Sequence, residues 1–148
     1  MTPPWWLCAA GKTLRQQILA RFPDRDKTSD GSIGDARHAA SKSDHNPDPL
    51  SGVVRAIDID EDLLGKDKPD PHEANLLVAE LVWLGFDEPR LSYVIFEGVI
   101  WSRVREWRPR RYTGVNQHSN HIHVSFTPAG DNDARVFDLP MLKVPRVP

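Results

Sequence analysis

Two histidines near the C-terminus, His121 and His123, are spaced so that they can act together. They open the strand-like run His-Ile-His-Val-Ser-Phe, and alternate side chains of a strand point to the same face, so both imidazoles share one side. Asp58 lies in a second strand-like run, and His45 lies in a loop upstream. Imidazoles and a carboxylate are zinc ligands, and three protein ligands leave a fourth position for water. These residue types therefore predict a catalytic metal site.

Two helices and several strands are predicted around these residues. Apolar residues follow helical spacing over 13–22, and the sequence Asp-Pro-His-Glu at 70–73 is typical of a capped helix start, with Gly85 ending the helix. Strands are predicted at 53–59, 91–96, 99–103 and 121–126. The pattern indicates an α+β fold in which a small antiparallel sheet bears the metal site, with flanking helices and long loops.

The composition indicates one ordinary globular domain. The 148 residues are predicted to form a single domain over 1–148, with a short, linker-like tail after about residue 128. A net charge of −2 gives no general attraction to nucleic acid or anionic membranes. No apolar run reaches the roughly 18–20 residues of a membrane span, and the N-terminus lacks the basic region of a signal peptide. The single cysteine, Cys8, excludes an internal disulfide and is expected to be a buried, inert thiol.

The acids that follow Asp58 suggest a competing metal site. Asp58, Asp60 and Asp62 begin like a calcium-binding EF-hand loop. Such a loop needs glycine at its sixth position and glutamate at its twelfth, where this chain has Leu63 and Pro69. The EF-hand interpretation therefore fails, and Asp60 and Asp62 are expected to be surface acids or a secondary cation site.

Three residue pairs occur in a characteristic order, namely Ser43-x-His45, Ala56-x-Asp58 and His121-x-His123. This order resembles the zinc D-alanyl-D-alanine carboxypeptidases and endopeptidases, which cut peptidoglycan. The chain resembles the phage endolysin branch of that family in the stretches 31–38, 41–48, 52–59, 111–114 and 118–125. The resemblance extends from about Trp5 to Phe126, which is most of the chain.

The resemblance implies that His45, Asp58 and His123 bind zinc and that His121 is a catalytic histidine beside the metal. It implies a zinc metallopeptidase that hydrolyses a peptide bond in the peptidoglycan stem or crosslink, as in a phage or prophage endolysin. The expected partner is a peptidoglycan peptide, bound by a monomer. The protein is then expected to be made in the cytoplasm and to reach the cell wall after holin-type release or as a virion component.

The spacing of the first two ligands departs from the family pattern. Many relatives have only a few residues between them, whereas Asp58 lies 13 positions after His45. The intervening loop is therefore longer, and Asp60 is an alternative ligand.

The second departure is Asn120, since several family members carry an acid three residues before the last ligand. An amide cannot act as a base, so the proton transfer falls to His121 or His118. Loss of this acid also supports an alternative, a catalytically inactive zinc-containing module that binds the cell wall.

The segment 101–112 combines five arginines with three aromatic residues. Contact with single-stranded nucleic acid is one interpretation, and a solvated basic loop is another. Recognition of substrate carboxylates is a third, because the arginine fork binds them well. Ser43 is expected to support the metal loop, and His38 and His72 are expected to be structural or exposed.

Overall fold

The computed structural model describes residues 4–32, 43–66, 71–114, 118 and 120–143. This part of the chain contains two helices and seven strands. They are β1 (Trp6–Leu7), α1 (Ala9–Arg21), β2 (Val53–Val54), β3 (Ala56–Asp60), α2 (Pro71–Gly85), β4 (Leu91–Phe96), β5 (Val99–Ser102), β6 (Pro109–Arg111) and β7 (His121–Phe126). Neither of these helices has the length and apolar character needed to cross a membrane.

The main sheet has five strands in the order β3-β7-β4-β5-β6, and every neighbouring pair is antiparallel. Strand β7, which carries His121 and His123, therefore lies next to β3, which carries Asp58. A second sheet consists of β1 and β2 in parallel. The predicted α+β class with a small antiparallel sheet is confirmed.

One face of the main sheet is covered by the helices, since α1 packs on β3 and α2 packs on β4. Alternation along β3 and β7 sends Ile57, Ile59, Ile122 and Val124 into this core. Each such side chain contributes about 1.5–3 kcal/mol when it is fully buried. The same alternation directs Asp58 and His123 to the opposite face.

The strand predicted at 53–59 is divided at Arg55. Val53 and Val54 pair with β1, whereas β3 begins at Ala56 and joins the main sheet. The Arg55 guanidinium donates two hydrogen bonds to Asp131, of 2.7 and 2.8 Å. This bidentate ion pair fixes the chain where it passes from one sheet to the other.

The predicted hairpin at 91–103 is present, with Glu97 and Gly98 as its two-residue turn. Both have positive φ, 48° and 77°, which a turn matched to the twist of two antiparallel strands requires. The second helix ends at Gly85 as predicted, and a Cβ there would collide with the Trp107 ring. Its predicted cap, Asp70, lies outside the described residues.

Helix α1 begins four residues earlier than the pattern predicts. The Cys8 Sγ accepts a hydrogen bond of 3.3 Å from the Gly11 N–H and so caps the helix. Burial raises the pKa of this thiol to about 11, so that it stays protonated and unreactive at neutral pH.

The segment after residue 128 is not linker-like as far as Lys143. Phe137, Leu139 and Leu142 are buried in the core. The side chain of Gln17 also bonds both the N–H and the carbonyl of Phe137, at 2.9 and 3.0 Å. The prediction of a tail fails here because two or three anchoring side chains among polar residues give no periodic signal.

Candidate metal centre

His45, Asp58 and His123 converge on the face of the main sheet that the helices leave open. Asp58 lies directly opposite His123 in the β3–β7 pairing. The His45 Nε2 lies 3.1 Å from Asp58 Oδ1 and 3.1 Å from His123 Nδ1, and the last two atoms are 3.2 Å apart. Ligand atoms about 2.0–2.1 Å from a tetrahedral zinc ion are separated by about 3.3 Å. The triangle therefore has the dimensions of three of the four positions of a tetrahedral coordination shell.

His45 is held by the loop that precedes β2. Its backbone N–H donates to Ser43 Oγ at 3.2 Å, which places Ser43 where the sequence predicted it. Its ring Nδ1 lies 2.7 Å from the carbonyl oxygen of Ser32. Because a carbonyl can only accept, Nδ1 carries a proton, and whenever the ring is neutral the Nε2 lone pair points to the centre.

His123 is fixed by two residues that the sequence analysis did not single out. Its Nε2 lies 2.7 Å from Ser125 Oγ, and its ring stacks on Tyr93, with centroids 5.3 Å apart and planes inclined by 12°. A histidine ligand usually donates its second N–H in this way, which orients the ring. Ser125 was detectable, since it lies two residues after His123 on the same strand face. The contact of Tyr93 with His123 could not be predicted in this way, because it depends on the β4–β7 register.

The charge states suit metal binding. Burial lowers the pKa of His123, so this ring is neutral at pH 7. Burial opposes ionisation of Asp58, but when the facing imidazoles of His123 and His45 are protonated, their hydrogen bonds and charge outweigh it and hold its pKa far below the usual range. For His45 the burial effect is likewise outweighed by Asp58, which raises its pKa. A proton therefore competes with a metal ion at His45 Nε2.

His121 lies beside the triangle, two residues before His123 on the same face. Its Nδ1 lies 2.8 Å from Asn120 Oδ1, an acceptor, so Nδ1 carries the proton. Its Nε2 lies 3.7 Å from Asp58 Oδ2 and, within the described residues, has no hydrogen-bond partner although it is buried. An unsatisfied buried acceptor at this position indicates a place for a ligand, water or ion.

His118 is also buried at this site, with its ring 4.8 Å from the His121 ring and 5.3 Å from the His123 ring. Asp58, His118 and His121 form a second group close enough to hold a metal ion, and the group shares Asp58 with the first. The structure therefore brings together all five residues that the sequence singled out as ligands or catalytic groups.

Asp60, the alternative ligand, is not part of this centre. Its Oδ2 accepts hydrogen bonds from the N–H and hydroxyl of Ser29, at 3.0 and 2.7 Å, and its Oδ1 accepts from the Asp62 N–H at 2.9 Å. The expectation of a surface acid is also wrong, because Asp60 is buried. The three acids Asp26, Asp60 and Asp62 do lie near one another.

The arginines of 103–111 have different environments. Arg103 is structural, since its guanidinium donates to the carbonyls of Gly85, Glu88 and Leu91. Arg110 lies on β6, a strand that the sequence analysis did not predict, and donates to Ser102 Oγ at 3.3 Å.

Comparison of the chain with protein-family models, curated proteins and solved structures finds no match. The interpretation of the site therefore depends on the geometry of the His45, Asp58 and His123 triangle and on the order of the sequence motifs.

Replacement of Ser125 by alanine should lower metal affinity about 10–100-fold, the usual effect of removing a group that orients a ligand. The reason is that the His123 ring loses its partner at Nε2 and is less well aligned. Competition against a chromophoric zinc chelator measures the change. Ser102→Ala is the control, because Ser102 lies on the same face but on β5. Equal affinities for Ser125→Ala and Ser102→Ala would contradict the assignment.

Proposed function

We propose that this protein is a zinc-dependent peptidase that hydrolyses a peptide bond of the peptidoglycan stem or crosslink. The observation that carries the proposal is the triangle of His45, Asp58 and His123. Beside it lies the Nε2 of His121, which has no hydrogen-bond partner among the described residues. Three protein ligands next to a buried proton acceptor are what metal-assisted hydrolysis needs.

The choice of zinc is supported by the donor set and by the resemblance to zinc peptidases. Two histidines and a carboxylate also bind iron(II) in some oxygenases. A hydrolase needs a proton acceptor close to the metal, and His121 supplies one. Metal analysis of the purified protein, with zinc and iron offered together, distinguishes the two ions.

When bound, zinc would lower the pKa of a coordinated water to about 7 and polarise the substrate carbonyl. His121 is placed to take the proton of the attacking water at Nε2, because Asn120 holds the ring with the proton on Nδ1. The same nitrogen can then deliver that proton to the leaving amine. His118 is the second group within reach of this site.

Asn120 fits this mechanism although it replaces the acid of several family members. Its Oδ1 accepts from His121 Nδ1 and so selects the tautomer with a free Nε2. An amide in this position orients the base instead of acting as one. This contact weighs against the alternative of an inactive wall-binding module.

Mass spectrometry of muropeptides after incubation with the zinc-loaded protein tests the proposal. We expect a defined peptide fragment, which identifies the bond, and we expect its loss after chelation and in His123→Ala. Muropeptides left intact by a folded, zinc-loaded sample would overturn the peptidase and favour a zinc-containing module that only binds the wall.

A further inference from the structure

One row of side chains crosses all five strands on the face that carries the metal centre. Asp58 lies opposite His123, His123 opposite Ile95, Ile95 opposite Ile100, and Ile100 opposite Arg110. Directly opposed residues of antiparallel strands point to the same face. The row therefore begins with two metal-site residues, continues over two isoleucines, and ends with a cation.

Arg110 is the arginine of 103–111 that lies in this row. Its side chain is exposed and donates to Ser102 Oγ, and in the described part of the chain it has no carboxylate partner. Arg108 pairs with Glu106 at 3.3 Å. Arg111 lies opposite Val99 and so belongs to the other face.

The contact with Ser102 shows which way Arg110 leans. Ser102 lies on β5, opposite Tyr93 on β4, so the guanidinium reaches back over the sheet towards the metal centre. Neighbouring strands are about 4.8 Å apart, which places a group above β5 about 10 Å from β7. An extended peptide covers about 3.3–3.6 Å per residue. The guanidinium is thus about two to three residues away from a bond held at the metal.

We propose that Arg110 binds a carboxylate of the peptide substrate two to three residues from the scissile bond, with the half-buried Ile100 beneath the chain between. The inference rests on the proposed peptidase function and makes it more specific. The carboxylate of a single terminal residue being released lies too close to the metal to reach Arg110. The carboxylate at Arg110 therefore belongs to a residue farther from the scissile bond than a single released terminal residue.

The test compares a purified crosslinked muropeptide dimer with the same dimer after its carboxyl groups have been converted to amides. For the free acid, we expect Arg110→Gln to lower kcat/KM about 10–100-fold, since a hydrogen-bonded ion pair contributes about 1.5–3 kcal/mol. For the amide, the variant and the parent protein should be equal. For the free acid, Arg110→Lys should have a kcat/KM between those of Arg110→Gln and the parent protein, because lysine keeps the charge but loses the two-pronged hydrogen bonding of the guanidinium. Arg111→Gln is the matched control.

Calorimetric binding of both dimers to the zinc-loaded proteins separates failure of this inference from failure of the proposed function. Hydrolysis that is equally fast in Arg110→Gln and Arg111→Gln would overturn the role of Arg110 and leave the peptidase standing. Binding without hydrolysis, weakened only in Arg110→Gln and only for the free acid, would keep Arg110 and overturn the peptidase. Absence of both binding and hydrolysis would overturn both.

Discussion

Asp58→Asn should lose stoichiometric zinc and, with it, all peptidase activity. The Asp58 carboxylate lies 3.1 and 3.2 Å from the two imidazole nitrogens that complete the triangle. An amide has the same shape but no charge, and its NH2 group can donate to either histidine where the metal would lie. The variant should therefore stay folded without zinc. Metal content by plasma emission spectrometry, together with muropeptide cleavage, checks the result.

Thermal unfolding gives a readout of the same variant that does not depend on activity. A ligand at 1,000 times its Kd stabilises the native state by about 4 kcal/mol, which corresponds to about 8–16 °C in Tm for a domain of this size. We expect zinc to raise the Tm of the parent protein by this amount and to leave Asp58→Asn unchanged.

His72→Ala is the control for the loss of a histidine, since His72 is exposed at the start of α2. It should retain the zinc content, the Tm shift and the activity of the parent protein. Full zinc content in Asp58→Asn would contradict the ligand assignment.

Strands and helices with strong local signals were predictable from the sequence. The hairpin of β4 and β5 has a turn in which Gly98 suits the positive φ of the second position, and α2 has an apolar stripe ended by Gly85. Strands β1 and β6 have two and three residues, too few for alternation to be visible. Each is defined by its pairing with another strand, β1 with β2 and β6 with β5, and no local pattern encodes that.

The candidate ligand set was predictable for a different reason. His121 and His123 share a face by strand periodicity alone, and the sequence motifs supplied Asp58 and His45. The supporting contacts depend on register between strands distant in sequence. The order of β4, β5 and β6 in the sheet must be known before these contacts can be predicted. That order brings Tyr93 against His123 and places Arg110 in the row of side chains that contains His123.

The break at Arg55 shows how a charged pair can override a strand pattern. Five apolar residues among the seven of 53–59 indicate one continuous strand. The bidentate bond between Arg55 and Asp131 instead ties the middle of this run to the segment after β7. Only the part after Arg55 joins the main sheet, which brings Asp58 into register with His123.

His121→Ala should lower kcat about 10²–10⁴-fold while zinc content stays near one per chain. General base catalysis contributes about this much. His121 carries a buried Nε2 that has no hydrogen-bond partner in the part of the chain that the structure describes and that lies next to Asp58. Because the ligand triangle does not include His121, metal binding should survive its loss. Single-turnover hydrolysis of the muropeptide dimer measures the rate, and metal analysis of the same samples measures the zinc.

His118→Ala is the matched comparison, since His118 is buried against His121 but lies farther along the chain from the ligand His123. If His121 is the base, the His118 variant should retain more activity than the His121 variant. The reverse order would give the proton transfer to His118. The parent protein could instead contain two zinc ions, one of which is lost in each variant. That result would make His118 and His121 ligands together with Asp58. Neither histidine would then be the base, because a nitrogen whose lone pair binds a metal cannot also accept a proton.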